Sequence, residues 1–259
     1  MKKYYAATVG TEFEQCIKGK NIGIELDFFC MADNLKGEKY ADCCAEIERL
    51  MKSCDLCGED MILHAPFNEL HPAAIDGEAL LLAIKRMNQA YCICENFGIK
   101  KMVVHSGYLP FVYFKSWHTG RSVEFWQEFM AEKPGDFTIC IENVLEDEPY
   151  MMAEMMERLN REYRRDNIGI CVDIGHANCM SGEDINTWIK VLSPYIKHMH
   201  IHNNDGEHDL HAPFDSGTMD VESILDFAEK VCKPDITYTS EVIDCCRSIE
   251  WLEKKGYLK

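Results

Sequence analysis

Side chains that bind divalent metals recur along the chain, and each closes a short apolar run. They are His64, His105, Glu142, Asp173, His200 and Glu241. Imidazole nitrogens and carboxylate oxygens are the ligands that zinc and similar ions take in proteins. Because burying an unpaired charge is costly, six such groups at the ends of apolar runs are poorly explained as separate accidents. Their types and positions predict metal-dependent chemistry.

The apolar runs belong to a pattern of strands and helices that alternate along the whole sequence. Eight β-rich segments are predicted at 4–7, 22–29, 61–66, 101–106, 137–144, 168–175, 196–203 and 236–243. Amphipathic helices are predicted at 12–18, 39–52, 77–97, 122–131, 150–163, 183–191, 221–231 and 244–255. Such alternation indicates a parallel sheet. Eight units in 259 residues, with no GxGxxG after an early strand, favour a (β/α)8 TIM barrel formed by residues 1–259 as a single domain.

In a barrel the C-terminal ends of the strands carry the chemistry, and the six side chains lie at those ends. The two-residue period of a strand places Cys140 on the inward face with Glu142, and Cys171 on the inward face with Asp173. Glu25, at the end of the second strand, is a candidate for binding a substrate hydroxyl or is an exposed rim carboxylate. In strand seven, three alternating histidines face the lumen, namely His198, His200 and His202.

Three further candidate ligands follow strands six and seven. His176 comes three residues after Asp173, and Asp209 and His211 form a D-x-H pair. Residues two apart in an extended segment face the same way, so the pair can contribute a second site if its loop folds back over the barrel mouth. Gly206 gives that loop a place to turn. The remaining histidines are predicted to be ordinary polar residues, except that His202 and His208 are close enough to support a ligand.

Composition and charge exclude several classes of protein. Lys and Arg number 27 against 44 Asp and Glu, and the formal net charge of −17 gives no electrostatic footing for duplex DNA. We therefore expect no nucleic-acid partner. No apolar run is long enough for a signal peptide or a membrane span, so a cytoplasmic protein without a membrane partner is expected. The fourteen cysteines predict free thiols rather than a disulfide framework.

Seven short motifs carry a resemblance to a known family, from about residue 20 to residue 255. They are LHAPF, VVHSGY, CIENV, CVDIGH, HMHIHNNDG, DLHAPFDSG and SEV. In this order and spacing the chain resembles the xylose isomerase-like barrels, which include endonuclease IV, the sugar isomerases and the ketose 3-epimerases. The resemblance implies the same barrel fold and a divalent metal, with zinc expected, manganese as the alternative, and one to three ions bound.

Two ligand schemes follow from the resemblance. In the ketose epimerases one metal is held by the equivalents of Glu142, Asp173, His200 and Glu241, and the two glutamates act as acid and base. In endonuclease IV three zincs are held by nine ligands. All nine have a match here, namely His64, His105, Glu142, Asp173, His176, His200, Asp209, His211 and Glu241. In this scheme Glu142 bridges two metals.

The expected activity is isomerisation or epimerisation of a small sugar or sugar phosphate through an enediolate, with Glu142 and Glu241 exchanging the proton. His176 is an additional candidate for substrate binding. The alternatives are metal-assisted hydrolysis of a phosphoester and a barrel that binds metal and ligand without turnover. The nine-ligand match favours a multinuclear zinc site, whereas the acidic or neutral loops oppose a DNA substrate. The arginine expected after the strand-seven histidine of epimerases is absent. The sequence gives no sign of the oligomeric state.

Overall fold

Eight parallel strands close into a barrel in the computed structural model, which describes residues 2–164 and 166–258. Each strand pairs with its neighbours in the chain, and β1 pairs with β8. The (β/α)8 barrel predicted from the sequence is confirmed. The strands are β1 Tyr4–Ala7, β2 Ile22–Leu26, β3 Met61–His64, β4 Lys101–His105, β5 Thr138–Glu142, β6 Ile168–Asp173, β7 Ile196–Ile201 and β8 Thr237–Ser240.

Helices connect successive strands. Within the described residues they are α1 Phe13–Ile17, α2 Gly37–Ser53, α3 Gly77–Phe97, α4 Lys115–Met130, α5 Tyr150–Tyr163, α6 Ile174–Met180, α7 Ile185–Leu192, α8 Val221–Val231 and α9 Cys245–Lys255. The predicted bounds of α3, α5 and α8 match these helices. Among the helices of the described chain, no segment has the length and apolar character needed to cross a membrane.

Two helices differ from the predictions. The fourth helix was predicted at 122–131, but α4 already begins at Lys115. Helix α6 begins at Ile174, inside the run predicted to be a strand, because Asp173 caps it by accepting a hydrogen bond from the His176 N–H. His176 therefore lies in the first turn of this helix.

The side chains of the strands divide between the lumen and the outer core as the alternation predicts. Cys140 and Cys171 lie in the lumen with Tyr5, Ile62 and Val103. The residues between them in the strands, including Ile141 and Val172, belong to the core between the barrel and its helices. This division points the polar side chains at the strand ends toward the barrel axis.

One pair of cysteines contradicts the prediction of free thiols. Cys16 on α1 and Cys246 on α9 form a disulfide across 230 residues of sequence. The closed barrel brings the first and last helices together, which sequence separation alone does not reveal. The other twelve cysteines are free.

Candidate metal centre

Four predicted ligands converge at the C-terminal end of the barrel. The ligand atoms of Glu142, Asp173, His200 and Glu241 all lie within 4.8 Å of one another. Strand register contributes to this, because Asp173 and His200 are paired residues of β6 and β7. Around the Nδ1 atom of His200, Glu142 Oε1 lies at 3.2 Å and Glu241 Oε2 at 3.1 Å. The four side chains therefore converge on one point, as their positions at the strand ends predict.

The chemistry of this group fits a divalent cation. Glu241 Oε2 is buried and makes no hydrogen bond of acceptable geometry, although His200 Nδ1 is close to it. An unsatisfied buried carboxylate oxygen is costly, and a cation beside it would remove the cost. Three carboxylates and one imidazole form a donor set that zinc and manganese both accept.

Glu142 faces a second cluster through its other oxygen. His64 Nε2 lies 3.2 Å and His105 Nε2 lies 3.4 Å from Glu142 Oε2. Phe67 stacks on the His105 ring, with 4.0 Å between the ring centroids, and so fixes the orientation of that imidazole. The carboxylate of Glu142 thus lies between two sets of histidines, as a bridging ligand must.

The segment after β7 folds back toward the barrel mouth and brings the D-x-H pair to the site. Asn203 and Ala212 form an antiparallel bridge, and Gly206 takes the left-handed conformation with φ of 83°. Asp209 Oδ2 lies 3.3 Å from His176 Nε2 and 3.2 Å from His211 Nε2. The structure therefore brings together all nine of the predicted ligands.

The predicted supporting histidines have different outcomes. His202 is fully buried, lies 3.1 Å from Asp173 Oδ1 and stacks on His211. Gly175 makes room for it, since a Cβ atom at that position would overlap the His202 ring. His208 instead points to solvent, where it bonds Asp205, and supports no ligand.

Histidines determine the protonation of the buried carboxylates. Burial alone would raise the pKa of Glu142, but His200 and His105 outweigh it and hold that pKa well below its usual range. Burial likewise opposes ionisation of Asp173, yet His176 and His202 lower its pKa to about 2. Both carboxylates are therefore ionised at neutral pH and available as ligands.

The electrostatics of His200 are reversed. Burial lowers its pKa, but the surrounding Cys171, Glu25, Glu241 and Glu142 outweigh burial and hold the pKa well above the usual range. In the metal-free protein this imidazole therefore carries the positive charge that the carboxylates require. A divalent ion would replace that proton, so metal binding must release protons.

Glu25 lies below the cavity rather than at its rim. Its side chain is 1% exposed, which rules out an exposed rim carboxylate, and its oxygens are held by His198 and His200. The structure gives it no contact with the cavity that would support the predicted binding of a substrate hydroxyl. That role stays a prediction.

Asp27 is a cavity residue that the sequence reasoning missed. It lies two residues after Glu25, within the run 22–29 that was predicted to be a strand, but Glu25 was taken as the polar residue at the end of that strand. Its Oδ2 accepts hydrogen bonds from the Val9 N–H and the Thr8 hydroxyl. Burial, reinforced by the charge of Glu25, raises the pKa of Asp27 to about 7.

A cavity of about 440 Å³ opens beside Glu142 and Glu241, two of the four converging residues. Its wall combines apolar and polar side chains, and none of the lining residues in the described chain is Lys or Arg. The lining residues are Val9, Asp27, Cys30, His64, Phe67, His105, Glu142, Val144, His176, Asp209, His211, Glu241 and Ile243. The volume suits a small molecule.

The chain belongs to the xylose isomerase-like TIM barrel family, whose model matches residues 22–243. The resemblance inferred from the motifs is thereby confirmed. An uncharacterised protein of Methanocaldococcus jannaschii, MJ1311, is 23% identical over 204 residues, which cover 71% of this chain. The match spans 65% of that relative, slightly less than two thirds of its length.

Two solved structures share the fold over nearly their whole length. A D-tagatose 3-epimerase-like protein is 20% identical with a TM-score of 0.75, and the alignment covers 97% of this chain and 96% of that protein. The TTHB071 protein from Thermus thermophilus, soaked with ZnCl2, is 19% identical with a TM-score of 0.75 and 98% coverage of both chains. At these identities the likeness establishes the fold.

Proposed function

We propose that the protein is a metal-dependent isomerase or epimerase of a small sugar. The observation that carries the proposal is the placement of Glu142 and Glu241, each about 3 Å from one nitrogen of His200 and both lining the same cavity. Two carboxylates that face one small-molecule cavity suit transfer of a proton from and to a carbon atom. The sugar epimerase-like protein with the same fold supports the same class.

In this proposal Glu142, Asp173, His200 and Glu241 hold a divalent metal, with zinc expected and manganese as the alternative. When bound, the metal supplies Lewis-acid stabilisation of the negative charge that develops on the substrate oxygens. Glu142 or Glu241 takes the proton from the carbon next to the carbonyl, and the other returns one. His176 also lines the cavity, which supports its role as a candidate for binding a substrate hydroxyl.

The walls of the cavity favour an unphosphorylated sugar over a sugar phosphate. In TIM barrels phosphate is frequently bound by the loops after the last two strands and by a helix N-terminus. Here residues 202–220 contain no Lys or Arg. The N-terminus of α9 is already capped by Asp244, whose carboxylate accepts a hydrogen bond from the Arg247 N–H. A phosphate would meet carboxylates at both places.

A second candidate, hydrolysis of a phosphoester, is favoured by one observation. Two further groups could each hold an ion beside the four-ligand group, namely His64 with His105 and Glu142, and His202 with Asp209 and His211. Clustered metals activate water and bind phosphate oxygens without any basic side chain. If the protein retains metal but turns over neither sugars nor phosphoesters, it is a barrel that binds metal and ligand without catalysis.

Proton exchange with solvent tests the proposal. The protein, loaded with zinc or manganese, is incubated in D₂O with a panel of neutral ketoses and their phosphates, and NMR follows deuterium at the carbon next to the carbonyl. We expect exchange and isomer formation with a neutral ketose. Hydrolysis of bis(4-nitrophenyl) phosphate without exchange on any sugar would replace this proposal with the second candidate.

A further inference from the structure

A column of buried polar side chains runs down the lumen below His200, away from the cavity. Each member is at most 5% exposed, and none of them lines the cavity. In order from the metal centre downward the members are Glu25, Thr239, His198, Thr237 and Lys101. Buried polar groups are retained only where their hydrogen bonds are satisfied, so the contacts of this lumen column show what it does.

The upper half of the lumen column connects His200 to His198 through one carboxylate. Glu25 Oε1 lies 3.0 Å from His200 Nε2, and Glu25 Oε2 lies 3.2 Å from His198 Nε2. The Thr239 hydroxyl contacts Glu25 Oε2 and lies 2.9 Å from His198 Nε2. Glu25 therefore touches a candidate metal ligand on one side and the rest of the column on the other.

The lower half ends at a buried ammonium group. His198 Nδ1 lies 2.6 Å from Thr237 Oγ1. Lys101 Nζ lies 2.7 Å from the same hydroxyl oxygen and donates to the Lys197 carbonyl at 3.1 Å. Over residues 2–164 and 166–258, no carboxylate oxygen lies within 4.0 Å of this ammonium, so Thr237 is its principal side-chain partner.

The positions of donors and acceptors assign directions to these hydrogen bonds. The Lys101 ammonium only donates, so Thr237 Oγ1 accepts from it. Glu25 accepts from the Thr239 hydroxyl and faces His198 Nε2 and His200 Nε2 as an acceptor, so each of these two nitrogens carries a hydrogen. A neutral His198 with its hydrogen on Nε2 accepts at Nδ1, where the Thr237 hydroxyl lies at 2.6 Å, closer than its 3.4 Å to the Lys197 carbonyl. The Nδ1 atom of His200 is left to face Glu142, Asp173 and Glu241.

We propose that the lumen column is a positioning device that holds His200 with Nε2–H on Glu25 and Nδ1 free for the metal. A hydrogen bond to the second ring nitrogen fixes the tautomer and ring orientation of a ligating histidine and raises its basicity. Thr237 and Lys101 act through His198 and Glu25 and touch neither metal nor substrate. The inference rests on the metal centre of the proposed function.

Zinc affinity in substitution variants tests the lumen column. Thr237→Val removes the hydroxyl while keeping the shape of the side chain, and Thr237→Ser restores the hydroxyl. The matched control is Thr119→Val, because Thr119 is equally buried but its hydroxyl bonds the Lys115 carbonyl on α4. Competition with a chromophoric chelator gives the zinc dissociation constant, and denaturant unfolding of the metal-free proteins gives their stability.

We expect Thr237→Val to weaken zinc binding about 2- to 10-fold, the effect of one lost hydrogen bond. Thr237→Ser should stay near the wild-type affinity. Thr119→Val should lose stability without losing affinity. Glu25→Gln, which acts directly on His200, should weaken binding about 10- to 100-fold. Histidine ¹⁵N NMR of the zinc-loaded wild type should show His200 bound through Nδ1 and protonated on Nε2.

Wild-type zinc affinity in both Thr237→Val and Glu25→Gln would overturn the positioning role of the lumen column while leaving the metal centre intact. Coordination of His200 through Nε2 would do the same. Weakened affinity in these variants together with no proton exchange on any sugar would leave the column standing and overturn the proposed function. If Thr237→Val does not fold, the Glu25→Gln affinity and the NMR result decide. Failure of the wild type to bind zinc would overturn both.

Discussion

At the scale of single residues, the carboxylate of Glu142 connects two groups of candidate ligands. One oxygen faces His200, and the other faces His64 and His105. Glu241 contributes a buried oxygen that lacks a hydrogen bond. Under the proposed function, removing either charge takes away a metal ligand and a proton-transfer group together.

Glu142→Gln and Glu241→Gln should therefore each lower kcat for sugar isomerisation by about 10²-fold or more, the contribution typical of general acid–base catalysis. Steady-state kinetics with a fixed excess of metal measure the effect. Glu146→Gln is the control, because Glu146 is equally buried but bonds the Ser106 hydroxyl and backbone N–H groups outside the four-ligand group. Activity within a few-fold of wild type in either Glu142→Gln or Glu241→Gln would remove that residue from the mechanism.

His118, on α4 and away from the four-ligand group, should make the fold acid-sensitive. Burial, with His71 nearby, lowers the pKa of His118 from 6.5 to about 4. Above pH 6.5 the titration of His118 does not change the free energy of unfolding. As the pH falls from 6.5 to 4, the free energy of unfolding decreases, because only the unfolded chain takes up the proton in this range. The total loss is about 3 kcal/mol at 1.36 kcal/mol per pKa unit.

His118→Gln should flatten this part of the pH dependence. Urea unfolding at pH 7, 6, 5 and 4 compares the free energies of unfolding of the variant and the wild type. The variant need not be as stable as the wild type at pH 7, since only the slope is informative. Parallel slopes for the two proteins would show that His118 takes up its proton in the folded state.

At the scale of elements, the disulfide links α1 to α9, the first and last helices of the closed barrel. Cross-linking residues 230 apart restricts the unfolded chain strongly, and native disulfides typically contribute about 2–4 kcal/mol. Cys16→Ser should lower the free energy of unfolding by this amount, and Cys43→Ser, which alters a half-buried free thiol, should change it little. Thiol titration of the unreduced, denatured protein should give twelve thiols. A count of fourteen would contradict the disulfide.

The strands and most helices were predictable because their signals are local. The two-residue period placed Cys140 and Cys171 in the lumen and pointed Glu142 and Asp173 to the axis, as the structure has them. Helix α6 was missed because its first residues continue the apolar run of β6, and the cap that starts it depends on Asp173. A local pattern cannot separate a buried strand from the first turn of a buried helix.

The candidate site was predictable in its members but less so in its contacts. The motifs supplied all nine candidate ligands, whereas the disulfide and the lumen column depend on distances across the barrel. Lys101 and Thr237 are 136 residues apart in sequence and meet only because the barrel closes. No period along one strand predicts which side chain lies opposite on another at the same height.

At the scale of the whole molecule, the excess of acidic residues predicts weak binding to nucleic acids. The formal charge of −17 should prevent appreciable binding of duplex DNA at physiological salt. Fluorescence anisotropy with a labelled duplex at several salt concentrations measures this, with a basic DNA-binding protein as the positive control. A submicromolar Kd with a steep salt dependence would promote the phosphoesterase alternative instead.

Elemental analysis measures whether Glu142, Asp173, His200 and Glu241 hold a metal, as we propose. The protein is purified without chelator, and zinc and manganese are counted per chain in the wild type and in His200→Ala. We predict at least one tightly held ion per wild-type chain. His200→Ala should hold clearly less metal, since the substitution removes one of four ligands. Wild-type protein that holds no metal, even after incubation with zinc, would contradict the proposed metal centre.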